Sequence, residues 1–121
     1  MLSYKEYQKY DKEFPIAGEE VDGLKVREEV PNLSSIGASL NEYTILPSIR
    51  EVSFDNFTDK GSVTDRIKNL ATQLEVNKEI NPLIVVVDED GPYILEGAHR
   101  YDALLLLGKK KFPALVVIDE D

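Results

Sequence analysis

The chain has 121 residues, 42% of them hydrophobic, with 14 Lys and Arg against 23 Asp and Glu, a formal net charge of −9, one His and no Cys or Trp. The length and apolar fraction suit one domain with a real core. The absent cysteine excludes disulfides, thiolate metal sites, iron–sulfur clusters and a thiol nucleophile, and the single His excludes a site needing two imidazoles from one chain. The net charge opposes a polyanion on average, so DNA is not the expected partner. A local basic patch still attracts a small anion, because salt screens the global field within about 10 Å. No apolar run approaches the ~20 residues that span a bilayer, and the polar, tyrosine-rich start Met1–Tyr10 is not a signal peptide. A cytoplasmic protein is the expectation.

The first half is weakly patterned. Ser3–Tyr10 suits a short helix with Tyr4, Tyr7 and Tyr10 as a packing stripe. Asp11–Gly23, with Pro15, Gly18 and Gly23, has the composition of a loop or linker. Leu24–Val30 mixes apolar and charged residues and ends at Pro31. Residues 1–42 are therefore taken as an N-terminal extension, partly loop, and 43–121 as the domain proper. From Tyr43 the pattern sharpens. Tyr43–Leu46 is β-prone and stopped by Pro47; Ile49–Val52 is a second strand, with Arg50 and Glu51 expected as a solvent-facing pair. After a loop over Asp55–Gly61, Ser62 is placed to cap a helix with Asp65 three residues on. Val63, Ile67, Leu70, Ala71 and Leu74 then form its apolar stripe, to about Val76.

Pro82 ends whatever precedes it. Leu83–Val87 is a continuous branched apolar run, expected as a strand buried on both faces. Asp88–Pro92 is a turn by composition, Tyr93–Leu95 a returning strand, and His99–Leu107 a helix closed by Gly108. Lys109, Lys110 and Lys111 lie where they complement that helix's negative end. Phe112 and Pro113 open a last strand, Ala114–Ile118.

The segment carrying chemistry is Leu95-Glu96-Gly97-Ala98-His99-Arg100-Tyr101, a strand running through glycine into a helix start. Free amides at a helix start and its dipole favour an anion. Glycine lets a phosphate approach the backbone, and Arg100 and His99 add donors. The Gly-Lys-Ser/Thr ending of a P-loop is missing.

Residues 82–117 resemble the ParB/sulfiredoxin superfamily. The residues concerned are Pro82–Val87, Tyr93–Leu95, Gly97-Ala98-His99-Arg100, Ala103-Leu104, Gly108 and Pro113, with the helix Thr64–Leu74 at the expected distance upstream. The resemblance implies an α/β fold: a small mixed sheet with two principal helices. It implies nucleoside triphosphate binding with Mg²⁺, the phosphates held by Gly97, the Ala98 amide, His99 and Arg100. Arg66 and Asn69 on the upstream helix, with Gln73, would complete that site, and Lys68 is the alternative donor. Sulfiredoxin activity is excluded, since its cysteine falls at Ala98. ParB proteins continue into a DNA-reading helix-turn-helix, for which this chain is too short. NTPase or serine-type kinase activity would need a positioned carboxylate, and Asp59 and Glu96 are the candidates, with Asp55 and Asp65 nearby in sequence. No metal ligand set within the protein is expected. The alternatives are an inactive module of the same fold, docking a protein partner or a second copy through the N-terminal extension, and a ParB-like nuclease.

Overall fold

The computed structural model describes residues 1–28 and 32–121. The elements run α1 (Tyr4–Glu13), β1 (Glu20–Val21), β2 (Leu24–Val26), α2 (Ser34–Ser39), β3 (Tyr43–Ile45), β4 (Arg50–Ser53), α3 (Asp65–Asn77), β5 (Glu79–Ile80), β6 (Leu83–Asp88), β7 (Gly91–Glu96), α4 (Ala98–Leu106) and β8 (Lys111–Asp119). A 3₁₀ turn, Phe54–Asn56, follows β4. This is the mixed α/β architecture expected, with α1 and α2 added to the two principal helices.

The main sheet has the order β3-β8-β6-β7, and β4 joins β8 on the same side as β3. β8 is long enough to pair with β4 through Lys111–Ala114 and with β3 through Val117–Asp119. Its other edge runs parallel to β6 from Leu83↔Ala114 onward. Pro113, which has no N–H, precedes that ladder and so breaks none of its bonds. Leu83–Val86 are fully buried and Val87 nearly so, because helices or loops cover both faces. On one face Leu83, Val85, Val116 and Ile118 meet Ile67, Ala71 and Leu74 of α3 and Ala103 and Leu104 of α4. On the other, Ile84, Val86 and Val117 meet Ile36 and Leu40.

The stretch Asp11–Gly23 is not simply loop. Ser3 and Glu6 form a reciprocal capping box, and α1 continues to Glu13. The Ser3 amide and hydroxyl hold the Glu6 carboxyl below its usual value. Phe14 is fully buried in the main core. Tyr7 and Tyr10 pack against that core, whereas Tyr4 stays exposed. Asp22 and Gly23 both take positive φ, 49° and 82°, which makes a tight hairpin between β1 and β2. β2 then pairs in parallel with β5 to complete a second, three-stranded sheet. Within Leu24–Val30, for which the sequence indicates no element, Leu24–Val26 is the strand β2, and the end of that segment at 29–31 lies outside the described residues.

Three expectations are corrected. Thr64, not Ser62, caps α3, accepting the Ile67 amide on its hydroxyl, so Val63 falls outside the helix and is exposed. The lysines after α4 lie beyond its last turn and engage specific partners. The Lys109 Nζ donates to the Asp22 carbonyl, the Lys110 amide to the Asp22 carboxylate, and Lys111 pairs with Glu51 at 2.9 Å. The helix end is instead closed through backbone, Gly108 N–H to Leu105 O and Lys109 N–H to Leu104 O, with Gly108 at positive φ. Finally, Arg50 is not solvent-facing: it is 2% exposed. Its guanidinium donates to the Asp11 carboxylate at 2.7 Å, to Phe14 O at 3.1 Å, and through Nε and Nη2 to Pro47 O at 3.0 and 2.8 Å. The tie joins the end of α1 to the turn before β4.

Arg50→Ala removes one donor set from three partners and leaves buried acceptors unpaired. It is expected to lower unfolding free energy by about 3 kcal/mol, whereas Asp11→Asn, at the exposed end, costs under about 1 kcal/mol. Urea titration of both variants checks the order.

Candidate functional site

The β7–α4 junction is fixed by one glycine. Pairing shifts between Ile84↔Glu96 and Val85↔Ile94, so Leu95 is an extra residue in β7. The chain then turns at Gly97, with φ 102° and ψ 24°, directly into α4. A Cβ at Gly97 would lie 2.6 Å from Leu83 Cγ and 3.1 Å from Arg100 Nη2. Only glycine fits both the backbone and the space. No side chain caps α4, so the amides of its first turn depend on solvent or a ligand.

Arg100 is largely committed to holding this junction. Its Nη1 donates to Asn81 O at 2.6 Å and Pro82 O at 3.0 Å, the carbonyls entering β6. No ion pair with Glu96 or Asp102 forms among the described residues; backbone carbonyls take these donors. Burial holds the guanidinium pKa below its usual value, and the nearby Glu96 charge opposes the shift. Nη1 is spent on structure, while Nε and Nη2 make no protein hydrogen bond among the described residues.

Arg66, Asn69, Gln73 and His99, with Leu70, line one open groove of about 600 Å³ between α3 and the start of α4. The three α3 residues fall at i, i+3 and i+7, on one helix face, because Ile67, Ala71 and Leu74 are turned into the core. The groove therefore brings together four residues picked out in the sequence and contains no carboxylate. Lys68 is not among its lining residues.

The two carboxylate candidates lie elsewhere. The bulge in β7 puts Glu96 beside Ile84, on the α2 face, where its Oε1 accepts the Ser35 hydroxyl at 2.6 Å. Asp59 sits across α4 in a separate cleft of about 500 Å³ that also includes Ala98. Its Oδ1 accepts the Gly61 amide, and its carbonyl accepts the Tyr101 hydroxyl at 3.2 Å. Asp55 lies in the 3₁₀ turn, its amide on Ser53 Oγ, and Asp65 opens α3. No three His, Asp or Glu side chains come together as a metal-ligand set among the described residues.

Asp102 and the aromatic walls of the second cleft carried no distinctive sequence signal. Tyr101 is 2% exposed and packs edge-on to Phe57 and Phe112, while Phe54 stacks tilted on it at 5.0 Å. Burial, with the Asp59 and Asp102 charges adding to it, pushes its phenol above the usual value near 10.0.

No protein-family model matches the sequence, and no curated protein matches it. Among solved structures, the C2221 form of a Pnob8-like ParB-N domain is similar, at 23% identity and a TM-score of 0.44, over 68% of this chain and 32% of that one. The chain thus spans about a third of that structure's length. The order found here from β6 to β8, with a Gly turn into α4 and Gly108 after it, is the order that the ParB/sulfiredoxin resemblance implies. No helix is long and apolar enough to cross a membrane among the described residues.

Two outcomes follow for this junction. Gly97→Ala forces a left-handed backbone and a clash with Leu83, and is expected to cost about 2–4 kcal/mol in urea unfolding. For Tyr101 the folded pKa is raised, so its stabilisation is complete below pH ~10 and is lost as pH climbs through the folded value. Tyr101→Phe should abolish that alkaline loss while costing about 1 kcal/mol at neutral pH, as thermal melting from pH 7 to 11 would read.

Proposed function

We propose that the α3–α4 groove binds the phosphate groups of a nucleotide. The supporting observation is the convergence of Arg66, Asn69, Gln73 and His99 beside the uncapped start of α4. In a chain of net charge −9 this groove has a cation and three further hydrogen-bonding side chains, and no acid. Arg66 supplies a forked donor, Asn69 and Gln73 supply amide N–H groups, and His99 supplies a ring N–H. Gly97 keeps the approach to the Ala98 and His99 amides clear of a side chain. Arg100 acts mainly by holding the turn, with Nη2 beside Gly97 as its remaining contribution.

Binding rather than turnover is the favoured reading. Phosphoryl transfer needs a group that orients or deprotonates the nucleophile. Glu96 is engaged with Ser35 on the opposite face, and Asp59 lies in the neighbouring cleft. With no carboxylate lining the groove, Mg²⁺ would arrive coordinated by the triphosphate and its own waters.

Thermal melting against ATP, ADP, CTP and GTP, with and without Mg²⁺, tests this. A ligand that binds only the folded state at 100 times its dissociation constant adds about 2.7 kcal/mol of stability. Arg66→Ala and His99→Ala, both exposed, should leave the unliganded melt unchanged and weaken binding by about tenfold each. No shift with any nucleotide, or equal shifts in both variants, would overturn the reading.

A further inference from the structure

On the far side of the α4 start lies the cleft of about 500 Å³, within the size range of small-molecule sites. Its character is opposite to that of the groove. Phe57 and Tyr93 supply aromatic walls, the Tyr101 ring being buried at 2% exposure, and Asp59, Asp90 and Asp102 supply carboxylates. No Lys, Arg or His lines it, and none of these three carboxylates takes part in an ion pair among the described residues. Tyr93 keeps 38% exposure, so part of an aromatic wall is open to a ligand. The Tyr101 hydroxyl fixes the loop at Asp59 and thereby holds one side of the cleft to α4.

We infer that this cleft binds a compact organic cation, a guanidinium or ammonium group on a short apolar stem. An aromatic face attracts a cation and also covers its stem, and carboxylates on the rim accept its N–H groups. A simple hydrated metal ion would use the carboxylates but gain nothing from the aromatic walls. The positive end of the α4 dipole, near Ala98, opposes a cation with about half a charge, against three carboxylates.

The test is calorimetric titration of the whole chain with n-butylguanidinium, using n-butylurea as the neutral counterpart of the same shape. The expected result is saturable one-to-one binding of the cation and none of the urea. Asp59→Asn combined with Asp102→Asn keeps the acceptor for the Gly61 amide and should weaken binding by at least about fivefold. Tyr93→Ala, an exposed change that spares the core, should weaken it by about threefold through the lost aromatic face. Binding of the urea as tight as the cation, cation uptake at many sites, or an unchanged affinity in both variants would overturn the inference. Inorganic phosphate titrated into the same protein reads the α3–α4 groove independently, so failure of one reading is distinguishable from failure of the other.

Discussion

The close packing of Gly97 on Leu83 sets the geometry on which both candidate sites depend. β7 must stop, reverse its backbone hand and start α4 within one residue, against the first residue of a fully buried strand. That contact fixes where α4 begins, and so where its free amides lie relative to α3. The groove with Arg66 and His99 opens on one side of this start, and the aromatic cleft opens on the other. Leu95, the extra residue in β7, completes the arrangement by turning Glu96 to the α2 face.

Two arginines in this acidic chain work as cross-links between backbone segments. Arg50 gathers Pro47 O, Phe14 O and the Asp11 carboxylate, and Arg100 gathers Asn81 O and Pro82 O. Arg50 does so through Nε, Nη1 and Nη2, a planar fork that a lysine could not reproduce, whereas Arg100 uses Nη1 alone for both carbonyls. The consequence for function is a division of labour. Arg100 holds the turn, and Arg66, exposed on α3, is the cation that faces the groove.

Much of this was readable in the residues, and the failures have physical causes. The run Leu83–Val87 announced a strand covered on both faces, and Gly97 and Gly108 marked the two ends of α4. Arg66, Asn69 and Gln73 were expected from the family resemblance alone, and the structure sets them along one groove. The Asp22-Gly23 hairpin was legible in principle, since that dipeptide supplies two positive φ values, but its strands are too short to show alternation. The burial of Arg50 is not legible in its strand, because it depends on carbonyls from Phe14 and Pro47, which only the tertiary fold supplies. Glu96 pointed away from the site because a one-residue bulge flips every later side chain in the strand, and no local motif marks it. The aromatic cleft joins residues from the Phe57 loop, β7 and α4, and sequence proximity gives no hint of that union.

The most direct measurement is an amide nitrogen–proton correlation spectrum of the whole chain, recorded while ATP or CTP with Mg²⁺ is added. The account predicts saturable shifts confined to Gly97, Ala98 and His99 and to the α3 face carrying Arg66, Asn69 and Gln73. Unperturbed resonances there, or shifts centred on another surface, would contradict it.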